Sequence, residues 1–182
     1  MRLFVAIEIA PEIRDRIMEF VSTIRPQLGN ARWSRPEGLH ITLKFLGNVP
    51  DEKRVAIEEK LRTIPAPPFS MAIGDAGAFP NAKSPRVLWV GLNAPADLAR
   101  LAEQVDIAMS SLGFEREQRA FTPHVTLARF NGRGHKLNVG PALSSVPKAG
   151  FGTMTATDFH LYESKLSPQG SRYIKLATFP LS

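Results

Sequence analysis

Cysteine is absent from this chain of 182 residues. That excludes disulfides, thiolate nucleophiles and cysteine-ligated zinc, and it fits a cytoplasmic protein. Long apolar runs are missing as well: none approaches the roughly 20 residues that span a bilayer. The opening Arg2-Leu3-Phe4-Val5-Ala6-Ile7 is interrupted by Glu8 and followed by Ala10-Pro11, too short for a signal-peptide core. It reads instead as a first strand. Dense basic tracts are missing too. Lys and Arg number 23 against 17 Asp and Glu, a net charge of +6, but they are scattered. The excess suits an anionic partner such as nucleic acid, or plain solubility. Histidine is scarce, with four in the chain.

Two of those four head the same tetrapeptide, His40-Ile41-Thr42-Leu43 and His124-Val125-Thr126-Leu127. The copies stand 84 residues apart, and the same shift superposes other residues. Arg2 falls on Arg86, Ala10-Pro11 on Ala94-Pro95, Arg16 on Arg100, Glu19 on Glu103, Val21 on Val105 and Leu28-Gly29 on Leu112-Gly113. The pattern is that of an internal duplication over about 1–85 and 86–169, with a closing C-terminal strand, in which each half gives one histidine to a shared site.

The apolar spacing supplies the elements. A strand over 2–9 leads to a helix opened by Pro11, whose Ile13, Ile17, Phe20, Val21, Ile24 and Leu28 share one face, with Gly29 as its stop. The first motif strand covers 39–46. Asp51 opens a second helix carrying Ile57, Leu61 and Ile64, which Pro65, Pro67 and Pro68 end. A strand over 69–79 is bent near Gly74 and Gly77. After a turn at 80–85 the plan restarts: a strand over 86–92, a helix from Pro95 with Leu98, Leu101, Val105, Met109 and Leu112 on one face, and a second motif strand over 123–130. Residues 131–140 are expected to form a mobile loop. A short element at 141–146, a long strand over 152–162, a turn at 167–170 and a last strand over 173–179 complete the chain. This is an α+β fold with two similar sheets, each backed by helices, and 1–182 as one domain.

Alternation along a strand puts His40 and Thr42 on one face and Ile41, Leu43 and Phe45 on the other; His124 and Thr126 behave alike. Two imidazoles and two hydroxyls on one groove suit phosphodiester cleavage. In-line displacement at phosphorus needs a base for the attacking oxygen and an acid for the leaving one, and histidine serves as either near neutrality. The hydroxyls can bind non-bridging oxygens, and a cation can offset their charge. Strict alternation nominates Lys44 for that cation. A metal is not expected, since no Asp or Glu adjoins either motif and a typical zinc site wants a third protein ligand. Unmatched His135 and His160 read as surface or packing residues. Arg32, Trp33, Arg35, Tyr162, Arg172 and Tyr173 could stack bases or meet phosphates, but each has a bland alternative in packing or solvated charge.

The paired motifs, the opening Arg-Leu-Phe-Val-Ala-Ile, Phe45-Leu46-Gly47, Phe79-Pro80, Phe121-Thr122-Pro123 and Leu127-Ala128-Arg129-Phe130 resemble the two-histidine (2H) phosphoesterases. More narrowly they resemble the RNA 2',3'-cyclic phosphodiesterases, also called 2'-5' RNA ligases. The resemblance implies a bilobed fold with antiparallel sheets, a pseudo-twofold relation and the histidines facing across a central cleft. It implies a substrate RNA bearing a 2',3'-cyclic phosphate end, opened to a 2'-phosphate without cofactor or metal. By the family pattern His40 is the proton donor, His124 the proton acceptor, Thr42, Thr126 and Arg129 bind phosphate, and Phe45 lies near the ribose or base. Arg129 and Phe45 each stand five residues after their histidine, an odd separation that a simple strand would send to the wrong face, so a bulge or strand end is required there. Ligation through a 2'-5' bond, another small cyclic nucleotide as substrate, and an RNA-end-binding module without turnover are the competing functions. The duplication supplies its own twofold partner, so a monomer is expected.

Overall fold

In the computed structural model, which describes residues 1–93, 95–131, 137–168 and 170–182, the chain opens with β1 (Arg2–Glu8) and α1 (Pro11–Ile24). β2 (Ala31–Trp33), β3 (His40–Asn48), α2 (Arg54–Arg62), β4 (Phe69–Phe79) and β5 (Val87–Asn93) follow. α3 (Ala96–Ser110), β6 (Val125–Phe130), α4 (Gly140–Ser144), β7 (Gly152–Ala156), β8 (Asp158–Ser167) and β9 (Gly170–Pro180) complete it. The α+β class read from the sequence holds. The helix faces are those that the spacing marks: Ile13, Ile17, Phe20, Val21 and Ile24 of α1 are all buried, as are Leu98, Leu101, Val105 and Met109 of α3. Each such side chain contributes about 1.5–3 kcal/mol relative to an exposed one. Ile17→Asp would put an unpaired carboxylate where no solvent reaches and break the contact.

Strand order is β7-β4-β5-β6-β3-β1-β8-β9, with antiparallel pairing throughout. The two halves of this order meet through one register pair, Ile41↔Val125 of β3 and β6. The result is two four-stranded sheets, joined at a point and diverging on either side of it. β2 lies along the free flank of β6, pairing Ala31↔Phe130, Arg32↔Arg129 and Trp33↔Ala128, and so fills one of the two gaps.

Neither lobe is one half of the sequence. β1 pairs with β8 from the far half, and β5 pairs with β4 from the near half. The registers correspond: Phe4↔Tyr162 and Val5↔Leu161 become Leu88↔Ala78 and Trp89↔Gly77 when each residue is displaced by 84. The helices cross over as well. α3 packs on β3, and α1 packs toward β7 through Phe20 against Phe151, ring centroids 5.5 Å apart, and an Arg16 Nη1 donation to the Phe151 carbonyl at 3.1 Å.

Three local readings change. The single strand expected over 152–162 breaks at Thr157, because β7 extends the β4 edge while β8 extends the β1 edge. β2 carries only three residues and has no alternating signature of its own. The turn after Asp51 is a 3-10 turn over Asp51–Lys53 before α2 begins. The bend near Gly74 is a register shift between Ile73 and Ala76, with Asp75 at φ 59°. Residues 132–136, with half of the expected loop and His135, lie outside the described residues, as does Gln169 of the expected turn.

Candidate active site

His40 opens β3 and His124 immediately precedes β6, next to the one pair that joins the lobes. The join therefore brings both histidines into one cleft of about 540 Å³, which they line together with Thr42 and Thr126. Each imidazole is anchored in the same way. His40 Nδ1 lies 2.7 Å from the Gly38 carbonyl and His124 Nδ1 2.8 Å from the Thr122 carbonyl, in both cases two residues upstream. A carbonyl only accepts, so Nδ1 carries the hydrogen in both rings, and Nε2 is left to work as acid or base. Aromatic rings fix the ring planes. Phe4 lies 4.8 Å from His40 and Tyr173 meets it edge-on at 5.1 Å, while Phe79 meets His124 edge-on at 5.2 Å.

The odd separation resolves through two bulges. Against β1 the register steps from Ala6↔Thr42 to Val5↔Lys44, leaving Leu43 unpaired; against β5 it steps from Trp89↔Thr126 to Leu88↔Ala128, leaving Leu127 unpaired. One extra residue restores the face, so Phe45 and Arg129 both line the cleft with the threonines. The expectation that Phe45 points to the buried side is thus corrected: it is 64% exposed at the cleft.

The same bulge turns Lys44 away. It is 8% exposed, and its Nζ donates to Asp106 Oδ1 of α3 at 2.5 Å and to the Glu115 carbonyl at 2.8 Å. Strict alternation had made it the phosphate-facing cation; the bulge at Leu43 puts it behind the sheet instead. Arg116 Nε and the Glu117 amide also donate to Asp106. Burial pushes the Asp106 carboxyl up, but these donors outweigh it and hold the group below its ordinary value of 3.8.

Around the histidines the field is positive. Arg2, Arg32, Arg35 and Arg129 line the cleft, and no described residue lining it is a carboxylate. Burial above all lowers the His40 pKa from 6.5 to about 4; the Gly38 carbonyl opposes this, and His124 and Arg129 add to it. Free His40 is therefore neutral at pH 7. No group of three His, Asp or Glu placed to hold a metal occurs among the described residues.

Of the remaining sequence candidates, Arg32, Trp33, Arg35 and Tyr173 line the cleft. Tyr162 stacks beneath Phe4 at 5.3 Å, and Arg172 is not among the lining residues. His160 is a packing residue, 3% exposed, between Thr178 Oγ1 at 3.0 Å and Asp158 Oδ1 at 3.1 Å. Arg2 was not foreseen, nor, apart from Tyr173, was the wall built by β8 and β9, where Ser164, Leu166, Gly170 and Ser171 line the cleft. Leu166 stands out in the structure as a large apolar side chain with 69% of its surface exposed beside the cleft.

Comparison with known proteins gives a consistent picture. The model of the family described as LigT like Phosphoesterase matches the chain twice in succession, over residues 7–89 and 90–173. An RNA 2',3'-cyclic phosphodiesterase of Archaeoglobus fulgidus is 37% identical over 179 residues, covering 98% of this chain and 99% of the relative. The RNA 2',3'-cyclic phosphodiesterase of Escherichia coli is 32% identical over 184 residues, covering 100% and 97%. Among solved structures, Escherichia coli LigT complexed with 3'-AMP superposes with a TM-score of 0.82 at 30% identity, covering 100% of this chain and 98% of that one.

Proposed function

The chain belongs to the LigT like phosphoesterase family, and from that premise we propose that it hydrolyses 2',3'-cyclic phosphate ends of RNA to 2'-phosphates. The observation that carries the reading is the pair of histidines with matching Nδ1 anchors and both Nε2 atoms free for one cleft. The cyclic phosphate lies between them, its non-bridging oxygens held by Thr42, Thr126 and Arg129 and its nucleoside beside Phe45. His124 Nε2 takes a proton from water as the water oxygen bonds to phosphorus. The bond from phosphorus to the 3' oxygen breaks, and His40 Nε2–H gives that oxygen its proton, leaving a 3'-hydroxyl and a 2'-phosphate. Solvent exchange then resets both rings. An anionic substrate raises the pKa of His40 from about 4, in the direction that favours the protonated acid.

A second assignment exchanges the two roles, and one observation favours it: the neutral resting state of His40 is the form a base needs. A substrate with sulfur in place of the 3' oxygen separates them, because a thiolate leaves without an acid. The variant lacking the acid regains turnover on it; the variant lacking the base does not. On the ordinary substrate His40→Ala and His124→Ala each lose about 10²–10⁴-fold in rate. Near-parental turnover by either removes the assignment. Product analysis with a 5'-hydroxyl acceptor present distinguishes the 2'-phosphate of hydrolysis from the 2'-5' bond of ligation, and affinity without turnover would mark a binding module.

The two lobes, residues 1–182, act as one domain, supported by the exchange of strands between the halves. Because one chain supplies both histidines, we read the protein as a cytoplasmic monomer, which light scattering and fractionation test. No described helix is long and apolar enough to cross a membrane.

A further inference from the structure

Arg32 and Arg129 stand directly opposite each other in the β2–β6 pairing and both reach the same cleft. Opposed cross-strand side chains start about 5 Å apart, and like charges there destabilise the pair. No acid among the described lining residues offsets them, and neither guanidinium has a hydrogen-bond or ion-pair partner among the described residues. Both side chains are exposed, so water screens them in the free protein, and an anion in the cleft can take the place of that water.

The demand exceeds one reacting group. A cyclic phosphodiester carries a single negative charge on two non-bridging oxygens. Thr42, Thr126 and Arg129 already answer both, which leaves Arg32 without an anion. The cleft is also not symmetric. Phe45 and Arg129 occupy equivalent places, 84 residues apart, on either side of the joining pair, so a ring stands at one position where a guanidinium stands at the other. β2, which has no counterpart along β3 among the described residues, sets Arg32 beside Arg129.

Resting on the active-site reading above, we propose that Arg32 forms a second phosphate subsite, which takes the internucleotide phosphodiester next to the reacting end. The guanidinium gives that linkage a charge-assisted, two-point contact. The subsite makes the enzyme select a strand end over a cyclic mononucleotide.

The test compares kcat/KM for adenosine 2',3'-cyclic phosphate with that for the dinucleotide ApA ending in a 2',3'-cyclic phosphate. The parent protein prefers the dinucleotide, and Arg32→Ala collapses the ratio of the two by about 10–100-fold, the worth of a hydrogen bond to a charged group. Arg32→Lys retains part of it. A methylphosphonate at the internucleotide linkage, which removes its charge, costs the parent the same factor and costs Arg32→Ala nothing further. Binding of ApA ending in a 2'-phosphate gives a readout independent of turnover: Arg32→Ala weakens it, and the slope of log affinity against log salt falls by about 0.7. Equal losses on mononucleotide and dinucleotide, or a parent indifferent to the methylphosphonate, overturn the subsite. If the parent opens neither cyclic phosphate, the hydrolytic reading fails, and the binding arm still decides the subsite by itself.

Discussion

Removing Asp106 should cost far more than removing a surface acid. Its carboxylate joins Lys44 of β3 to Arg116 and the Glu117 amide, and the side chains of Lys44 and Asp106 are only 7% and 11% exposed. Asp106→Ala leaves the Lys44 ammonium enclosed with one acceptor, the Glu115 carbonyl. An uncompensated buried charge of this kind costs about 3–5 kcal/mol. At about 2–4 °C per kcal/mol for a chain of this size, the melting temperature drops by about 6–20 °C. The double variant Lys44→Met/Asp106→Leu removes both charges and recovers most of the loss. It does not recover all, because the Glu117 amide loses its acceptor. Urea and thermal unfolding followed by circular dichroism measure both. A loss below about 1 kcal/mol for Asp106→Ala, the range of exposed ion pairs, would refute the reasoning. So would a double variant as unstable as the single. The sign with pH is fixed by the lowered carboxyl: the stabilisation is complete above the unfolded value of 3.8 and is lost as pH falls through the lower folded value. Because Lys44 faces away from the cleft, the double variant keeps cyclic-phosphate turnover within a few-fold while it is folded.

Two further outcomes follow from the site. NMR titration should show free His40 neutral until pH approaches about 4, and inorganic phosphate in the cleft should raise that value. Between 6.5 and about 4 the unfolded chain binds more protons at this residue, so stability declines as pH falls through that window; a His40 that titrates near 6.5 without ligand contradicts the burial argument. Gly77→Ala puts a methyl 2.2 Å from the Trp89 ring, which lies beside His124 at 6.4 Å. The ring must move, at about 1–3 kcal/mol, and Trp89 fluorescence in a Trp33→Phe background reports the shift; unchanged emission and stability would show that the strands simply separate to admit the methyl.

Much of this was legible in the residues. Spacings of three and four marked α1 and α3, because a helix facing a core must repeat its apolar positions about every 3.6 residues. The duplicated His-x-Thr-Leu marked the site, because alternation sends His and Thr one way and the aliphatic partners the other. Alternation then misled three residues later. A bulge has no composition of its own here: Leu43 and Leu127 look like ordinary strand leucines, and only the pairing with β1 and β5 shows them to be supernumerary. Lys44 and Phe45 were exchanged for that reason. The rest of the β8 and β9 wall beyond Tyr173 was hidden for a different one. Its residues lie more than a hundred positions from His40, and long-range strand pairing leaves no local trace.

The crossing of β4 and β8 between the lobes bears on how such a chain could be cut. A fragment ending near residue 85 holds β4 without its neighbour β5, and the fragment beginning there holds β8 without β1. Each piece offers an unpaired edge that fits the other. Severed between Ser84 and Pro85, the halves have reason to reassemble as a heterodimer, and an ancestral unit of that length would have had to embrace a copy of itself before gene fusion made the partnership permanent.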